Sequence, residues 1–282
     1  MQDIKKLPLR LFYYAVGKLY REDHKIAMRL FRYFPTYRSS LVEIVNQLHR
    51  VFRRTSSCDV QGVQIEPTNI CNLRCRHCTT QKGPNKTKKG FMSLELFKKI
   101  IDDNPQITCL ILTLNGEPLV HRKIFDMIRY ARDKGIYVSI YTNGMLLNDK
   151  NIPRIFESGL SEITFSMEGI GEYYEHNRGK PYEKIESIIN KVLEERNKRG
   201  SPLIVVVNAT FDEDIRHANI VKETWEGIVD YVMFEPLMGG SREQRTIPCR
   251  TLWRNLVVMW NGDVVPCCVD MYGKLVLGNV TQ

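Results

Sequence analysis

From residue 62 onward the chain alternates short apolar runs with amphipathic stretches, and this alternation restricts its fold more than any other feature. Candidate strands are Val63–Glu66, Cys109–Leu114, Tyr137–Tyr141, Glu162–Met167, Leu203–Asn208 and Tyr231–Phe234. Helical patterns lie between them at Leu94–Asp103, Ile124–Lys134, Ile152–Glu157, Tyr182–Arg199 and, more weakly, Ile215–Trp225. Gly135, Gly159 and Gly200 follow three of these, where a left-handed residue ends a helix. Strand, helix and strand in repetition argue for right-handed βαβ units and a parallel sheet. Six units are too few for the eight-stranded barrel. The expected fold class is therefore α/β, a six-stranded open or partial (β/α)6 barrel with its chemistry on the loops after the strand C-termini.

The charge is unevenly placed. Residues 1–57 hold 12 of the 41 Lys and Arg but 4 of the 32 Asp and Glu, so nearly all of the formal +9 belongs to them. The remainder is balanced, and the basicity does not by itself point to nucleic acid. Residues 7–54 read as helical, with Leu41, Ile44, Val45, Leu48, Val51 and Phe52 forming one apolar stripe. This basic helical extension has three readings: a cap packed on the barrel with a solvated face, peripheral contact with anionic lipid, or a dock for an acidic substrate. No window approaches the roughly 18–20 apolar residues of a spanning helix, and the run Leu7–Val16 lacks a small-residue cleavage site. The expected location is cytoplasmic, with membrane association through residues 1–57 as the variant reading.

Three of the eight cysteines, Cys71, Cys75 and Cys78, crowd into eight residues directly after the first candidate strand. In a long intracellular chain such spacing favours a metal site over a disulfide framework. Three thiolates on one tight loop can hold three irons of a [4Fe–4S] cluster and leave the fourth open. The competing readings are a zinc site, for which His77 is poorly placed between two cysteines, and buried inert thiols.

The stretch CNLRCRHC after VQIEPTNI resembles the Cx3CxΦC motif of the radical S-adenosylmethionine (SAM) enzymes, with His77 in the usually aromatic place. TLNGEPLVHR at 113–122 is similar to the family's GGEP motif, with Asn115 in place of the first glycine. ITFSMEGIGEYYEHNRGKPYEKI at 163–185 looks like its fourth strand and following loop, SxDG then Arg-Gly. The resemblance spans roughly residues 60–282 and implies a partial barrel of the radical SAM type. It implies that Cys71, Cys75 and Cys78 ligate a cluster whose open iron chelates SAM, and that reductive cleavage gives a 5′-deoxyadenosyl radical. It further implies Gly116 and Glu117 at the methionyl amine, with Asn115 beside them, Ser166 at a ribose hydroxyl, Arg178 at the SAM carboxylate and His77 near the adenine. Asn143, in Thr142-Asn143-Gly144, reads as the start of a turn.

Cys249-x12-Gly262-x4-Cys267 resembles the opening of the SPASM or twitch extension, which holds auxiliary iron–sulfur clusters. An apolar run, an Asn261-Gly262 turn and LVLGNV match its opening hairpin. The longer SPASM cysteine pattern is absent, which leaves three readings: a sequence truncated relative to the family, which is the expectation, an incomplete cluster, or a lost site. Cys267 and Cys268 are neighbours, and since successive side chains in a strand face opposite ways, the two are not expected to ligate one cluster together. Cys58 and Cys109 read as incidental. The domains expected are a basic helical extension over 1–57, the barrel over 58–236 and the start of a SPASM/twitch-like domain over 237–282.

The function implied is hydrogen abstraction from a substrate after SAM cleavage. The product is a modified peptide or protein side chain, or an oxidised alcohol. A reductant such as flavodoxin or ferredoxin and a peptide or small-molecule substrate are the expected partners. The alternative is a zinc-stapled RNA-binding protein, weakened by the absence of basic excess around the cysteines.

Overall fold

The apolar runs become strands because their β-branched and aliphatic residues suit a pleated, buried surface. Gly62–Ile65 and Cys109–Leu112 alternate half-buried and buried positions, whereas residues 204–209 are buried at six consecutive positions. The structure is a computed structural model that describes residues 62–78, 88–211, 214–236, 252 and 255–282. The basic extension 1–57, Cys58 and Cys249 lie outside the described residues. The chain divides into two compact units, Met1–Asp59 and Val60–Gln282, and every described residue belongs to the second.

Six strands run parallel: β1 (Gly62–Ile65), β2 (Cys109–Leu112), β3 (Tyr137–Thr142), β4 (Glu162–Met167), β5 (Ile204–Phe211) and β6 (Tyr231–Pro236). The helices between them are α1 (Leu94–Asp102), α2 (Ile124–Asp133), α3 (Ile152–Glu157), α4 (Gly171–Arg178), α5 (Tyr182–Arg199) and α6 (Arg216–Trp225). Ser93 caps α1 by accepting from Leu96 N–H at 3.1 Å, and Gly200, at φ +58°, ends α5. Phe97, Ile100 and Ile101 of α1 and Ile185, Ile188, Ile189 and Val192 of α5 join the strand residues in one core. The six strands and five of the helices agree with the sequence expectation. Helix α4 does not appear in that expectation, because GEYYEHNR starts on glycine and carries a single buried apolar side chain, Tyr174.

The sheet continues past β1. Strand β7 (Asn255–Val258) pairs parallel with β1, Gly62 opposite Asn255 and Ile65 opposite Val258. It then folds back through the Asn261-Gly262 turn into β8 (Asp263–Val265), followed by the short β9 (Gly278–Asn279). The nine-strand order is β6-β5-β4-β3-β2-β1-β7-β8-β9. The C-terminal hairpin is thus built onto the edge of the barrel sheet, beside the strand that delivers the cysteine loop. Among the described residues no helix is long and apolar enough to cross a membrane.

Candidate functional site

The loop after β1 is held before any cofactor is considered. Thr68 Oγ1 donates to Gly90 O at 2.7 Å, and Asn69 bonds Lys88 O and Gly90 N–H at 2.9 and 3.0 Å. Beyond it, Leu73 is buried as an apolar foot, and Arg76 N–H donates to Asn177 O of α4 at 2.8 Å. Cys71, Cys75 and Cys78 are free thiols, half-buried, on this braced segment. Burial pushes the Cys75 thiol up to about 11, helped by Glu168, Cys78 and Cys71 and opposed by Arg178. Burial also raises Cys71, where the Leu73 N–H works against it and Glu117 and Cys78 add to it. Iron binding at Cys71 and Cys75 must therefore displace protons.

Among the described residues no three His, Cys, Asp or Glu side chains are grouped as ligands of one metal ion. A zinc site needs such convergence at about 2.3 Å from each sulfur, whereas a cubane spreads its three cysteines over separate irons. The donor set, three mutually interacting thiols on one loop, fits the cluster.

The loop after β2 leans directly on the cysteine segment. A Cβ at Gly116 would lie 2.2 Å from Thr68 O and 2.7 Å from Ile70 O, so only glycine permits the approach. Glu117 N–H donates to Ile70 O at 3.0 Å. The Glu117 carboxylate is buried and points the other way, accepting from Thr142 Oγ1 at 2.7 Å, Asn143 N–H at 2.8 Å and Leu119 N–H at 3.1 Å. Burial raises its pKa, against the pull of those donors. Glu117 thus braces the ends of β2 and β3 together, and an amine brought to its carboxylate would compete with three donors already in place.

Asn115, at the first-glycine position of GGEP, reaches the C-terminal extension: its Nδ2 donates to Met271 O at 2.8 Å. Its N–H donates to Glu66 Oε1 at 3.2 Å, and Trp260 N–H donates to Glu66 Oε2 at 3.2 Å. One buried carboxylate therefore joins β1, the β2 loop and the hairpin turn. A cavity of about 140 Å³ opens where these parts meet, with Asn69, Lys89, Asn115, Trp260, Asp263 and Tyr272 in its wall.

Arg178 ends α4 and is buried. Its Nε and Nη2 bind the Glu168 carboxylate bidentately at 2.6 and 2.7 Å. Burial opposes its charge, but Glu168 outweighs burial and the guanidinium pKa rises. Ser166 is half-buried on β4, opposite Asn208 of β5. His77 is half-buried in the cysteine loop. Asn208 was missed by the sequence argument, although a polar residue ending an apolar strand could have marked it. It is buried, its Nδ2 donates to Glu235 Oε2 at 2.8 Å, and its Oδ1 has no hydrogen-bond partner among the described residues.

Strand β8 ends at Val265, which corrects the premise that Cys267 and Cys268 alternate along a strand: both lie in the turn after it. Cys268 packs on Val257, Met259 and Val265, while Cys267 Sγ accepts from Val269 N–H at 3.4 Å.

Comparison with known proteins agrees with this geometry. Residues 65–219 match the model of the Radical SAM superfamily, and residues 249–282 match that of the SPASM iron-sulfur cluster-binding domain. A tungsten-containing aldehyde ferredoxin oxidoreductase cofactor-modifying protein of Pyrococcus furiosus is 36% identical over 107 residues, 37% of this chain and 30% of that protein. A PqqA peptide cyclase of Bradyrhizobium diazoefficiens is 23% identical over 181 residues, 58% of this chain and 47% of its own. The chain thus covers less than half the length of these two relatives. In fold, Streptococcus suis SuiB bound to the precursor peptide SuiA superposes with a TM-score of 0.66 at 12% identity, over 94% of this chain and 75% of SuiB.

Proposed function

Because the chain belongs to the radical SAM superfamily, whose cofactors are a [4Fe–4S] cluster and SAM, we propose that it cleaves SAM reductively and abstracts a hydrogen atom from a peptide or peptide-derived substrate. The observation that carries this reading is the trio Cys71, Cys75 and Cys78, half-buried on one braced loop at the C-terminal end of β1. Cys71, Cys75 and Cys78 would hold the cluster, which when bound would supply the single electron that splits the S–C5′ bond of SAM into methionine and the 5′-deoxyadenosyl radical that takes the substrate hydrogen.

The chain's own groups have separable tasks in this proposal. The three thiols lose their protons and hold iron. Gly116 lets the β2 loop close on Ile70, so that backbone oxygens rather than the Glu117 carboxylate are left to receive the methionyl amine. Ser166 and Asn208, paired across β4 and β5, offer polar groups to the ribose. Arg178, presented by α4 and fixed by Glu168, faces the SAM carboxylate, and His77 lies by the adenine. The SPASM-matching segment supports an auxiliary cluster at Cys267, with Cys249 as the second ligand by sequence. A low-potential reductant of the flavodoxin or ferredoxin class completes the set.

A peptide is favoured by the names of the peptide cyclase and of the SuiB complex with its precursor peptide. Oxidation of a small alcohol is the second reading, favoured by the auxiliary-cluster segment as an electron acceptor. Anaerobically reconstituted protein should carry about four irons per chain or more and release 5′-deoxyadenosine from SAM under dithionite, and Cys75→Ala should abolish the release. Iron-free protein with no 5′-deoxyadenosine would overturn the proposal.

A further inference from the structure

Asn143 begins as an ordinary turn residue and has an unusual set of partners. It follows β3, is buried, and its N–H is fixed by Glu117 Oε2 at 2.8 Å. Its side-chain Oδ1 accepts from Met145 N–H at 3.0 Å. With the oxygen engaged there, the NH2 group is turned the opposite way, toward the cysteine loop. Of its two hydrogens, one goes to Asn72 Oδ1 at 2.9 Å and the other faces Cys71 Sγ at 3.8 Å. The same sulfur accepts from Leu73 N–H at 3.4 Å, and Asn72 Oδ1 lies 3.9 Å from it.

We infer that Asn143 is a positioning residue for the cluster: its amide N–H, directed at Cys71 Sγ, sets how readily the cluster held by that sulfur accepts an electron. The inference rests on the reading of Cys71 as an iron ligand. Reduction adds negative charge that spreads onto the cysteine sulfurs. A donor aimed at such a sulfur stabilises the reduced form more than the oxidised one. The placement is held at three points: Glu117 fixes the backbone of Asn143, Met145 fixes its amide oxygen, and Asn72 takes the second hydrogen. The β2 loop thus bears on Cys71 through Glu117 and Asn143, and Gly116 packs it on the backbone that leads into the cysteine loop.

The test is a redox titration of the reconstituted protein followed by the electron paramagnetic resonance of the reduced cluster. Asn143→Leu and Asn143→Ala remove the donor, and Ser139→Ala in the same strand serves as a control for general loosening. The equilibrium constant for one-electron reduction is expected to fall about tenfold in both Asn143 variants, a midpoint about 59 mV more negative, with Ser139→Ala unchanged. Loss of iron from both Asn143 variants, with apoprotein melting unchanged, also supports the donor. Iron-loaded variants with the wild-type midpoint, or an equal shift in Ser139→Ala, overturn the inference and leave the cluster reading intact. A wild type that binds no iron overturns that reading and the inference together.

Discussion

A guanidinium buried as deeply as that of Arg178 is tolerable because Glu168 meets it with two bonds. The arrangement makes the two residues unequal to any single replacement. Glu168→Ala leaves a buried cation without its partner and is expected to cost about 3–5 kcal/mol, read from urea unfolding. The apolar pair Glu168→Leu with Arg178→Met is expected to recover most of it, and a single variant as stable as wild type would show that the pair is not desolvated. At this scale the sequence marked Arg178 through its Arg-Gly motif, while Glu168 was not singled out. It could not mark their pairing, because that depends on where the C-terminal end of α4 sets Arg178 relative to the end of β4. Asn143 was hidden for the same kind of reason: a Thr-Asn-Gly turn looks alike whether its amide meets water or a sulfur.

At the scale of elements, the β2 loop and the C-terminal hairpin are joined by the Asn115 side chain, which a glycine would lack. Asn115→Ala removes the 2.8 Å bond to Met271 O at a cost of about 1 kcal/mol. Hydrogen–deuterium exchange should then speed up over residues 267–273 while α5 is unaffected, and unchanged exchange there would remove Asn115 from this role. Strands β1 to β6 were legible because short apolar runs are separated by five helical periods. The hairpin of β7 and β8 was legible from Asn261-Gly262. Its parallel seating on β1 was not, since the partner lies far back in the chain and parallel pairing leaves no local mark. Trp260 shows the consequence, covering Gly90 so closely that a Cβ there would lie 2.1 Å from its ring.

For the molecule as a whole, Glu66 is the carboxylate where barrel, β2 loop and extension meet. Burial raises its pKa above the ordinary 4.5, against the pull of the Trp260 and Asn115 donors. A raised carboxyl contributes stability that is complete below its ordinary value and lost as pH rises through the folded one. The iron-free protein should therefore lose part of its urea resistance on going upward from pH 4.5, and Glu66→Gln should remove that part of the slope. Parallel curves for the two proteins would show that Glu66 titrates alike folded and unfolded. The seating of β7 also bears on how the protein is made. Gly62 leaves the ribosome long before Asn255, its partner across the sheet, so throughout synthesis β1 presents an unpaired row of backbone donors and acceptors. Such an edge recruits stray strands, and the nascent chain has its cysteine loop attached to that same strand. The edge beside the cysteine loop is thus covered only once Asn255–Val258, about two hundred residues further along the chain, has been made.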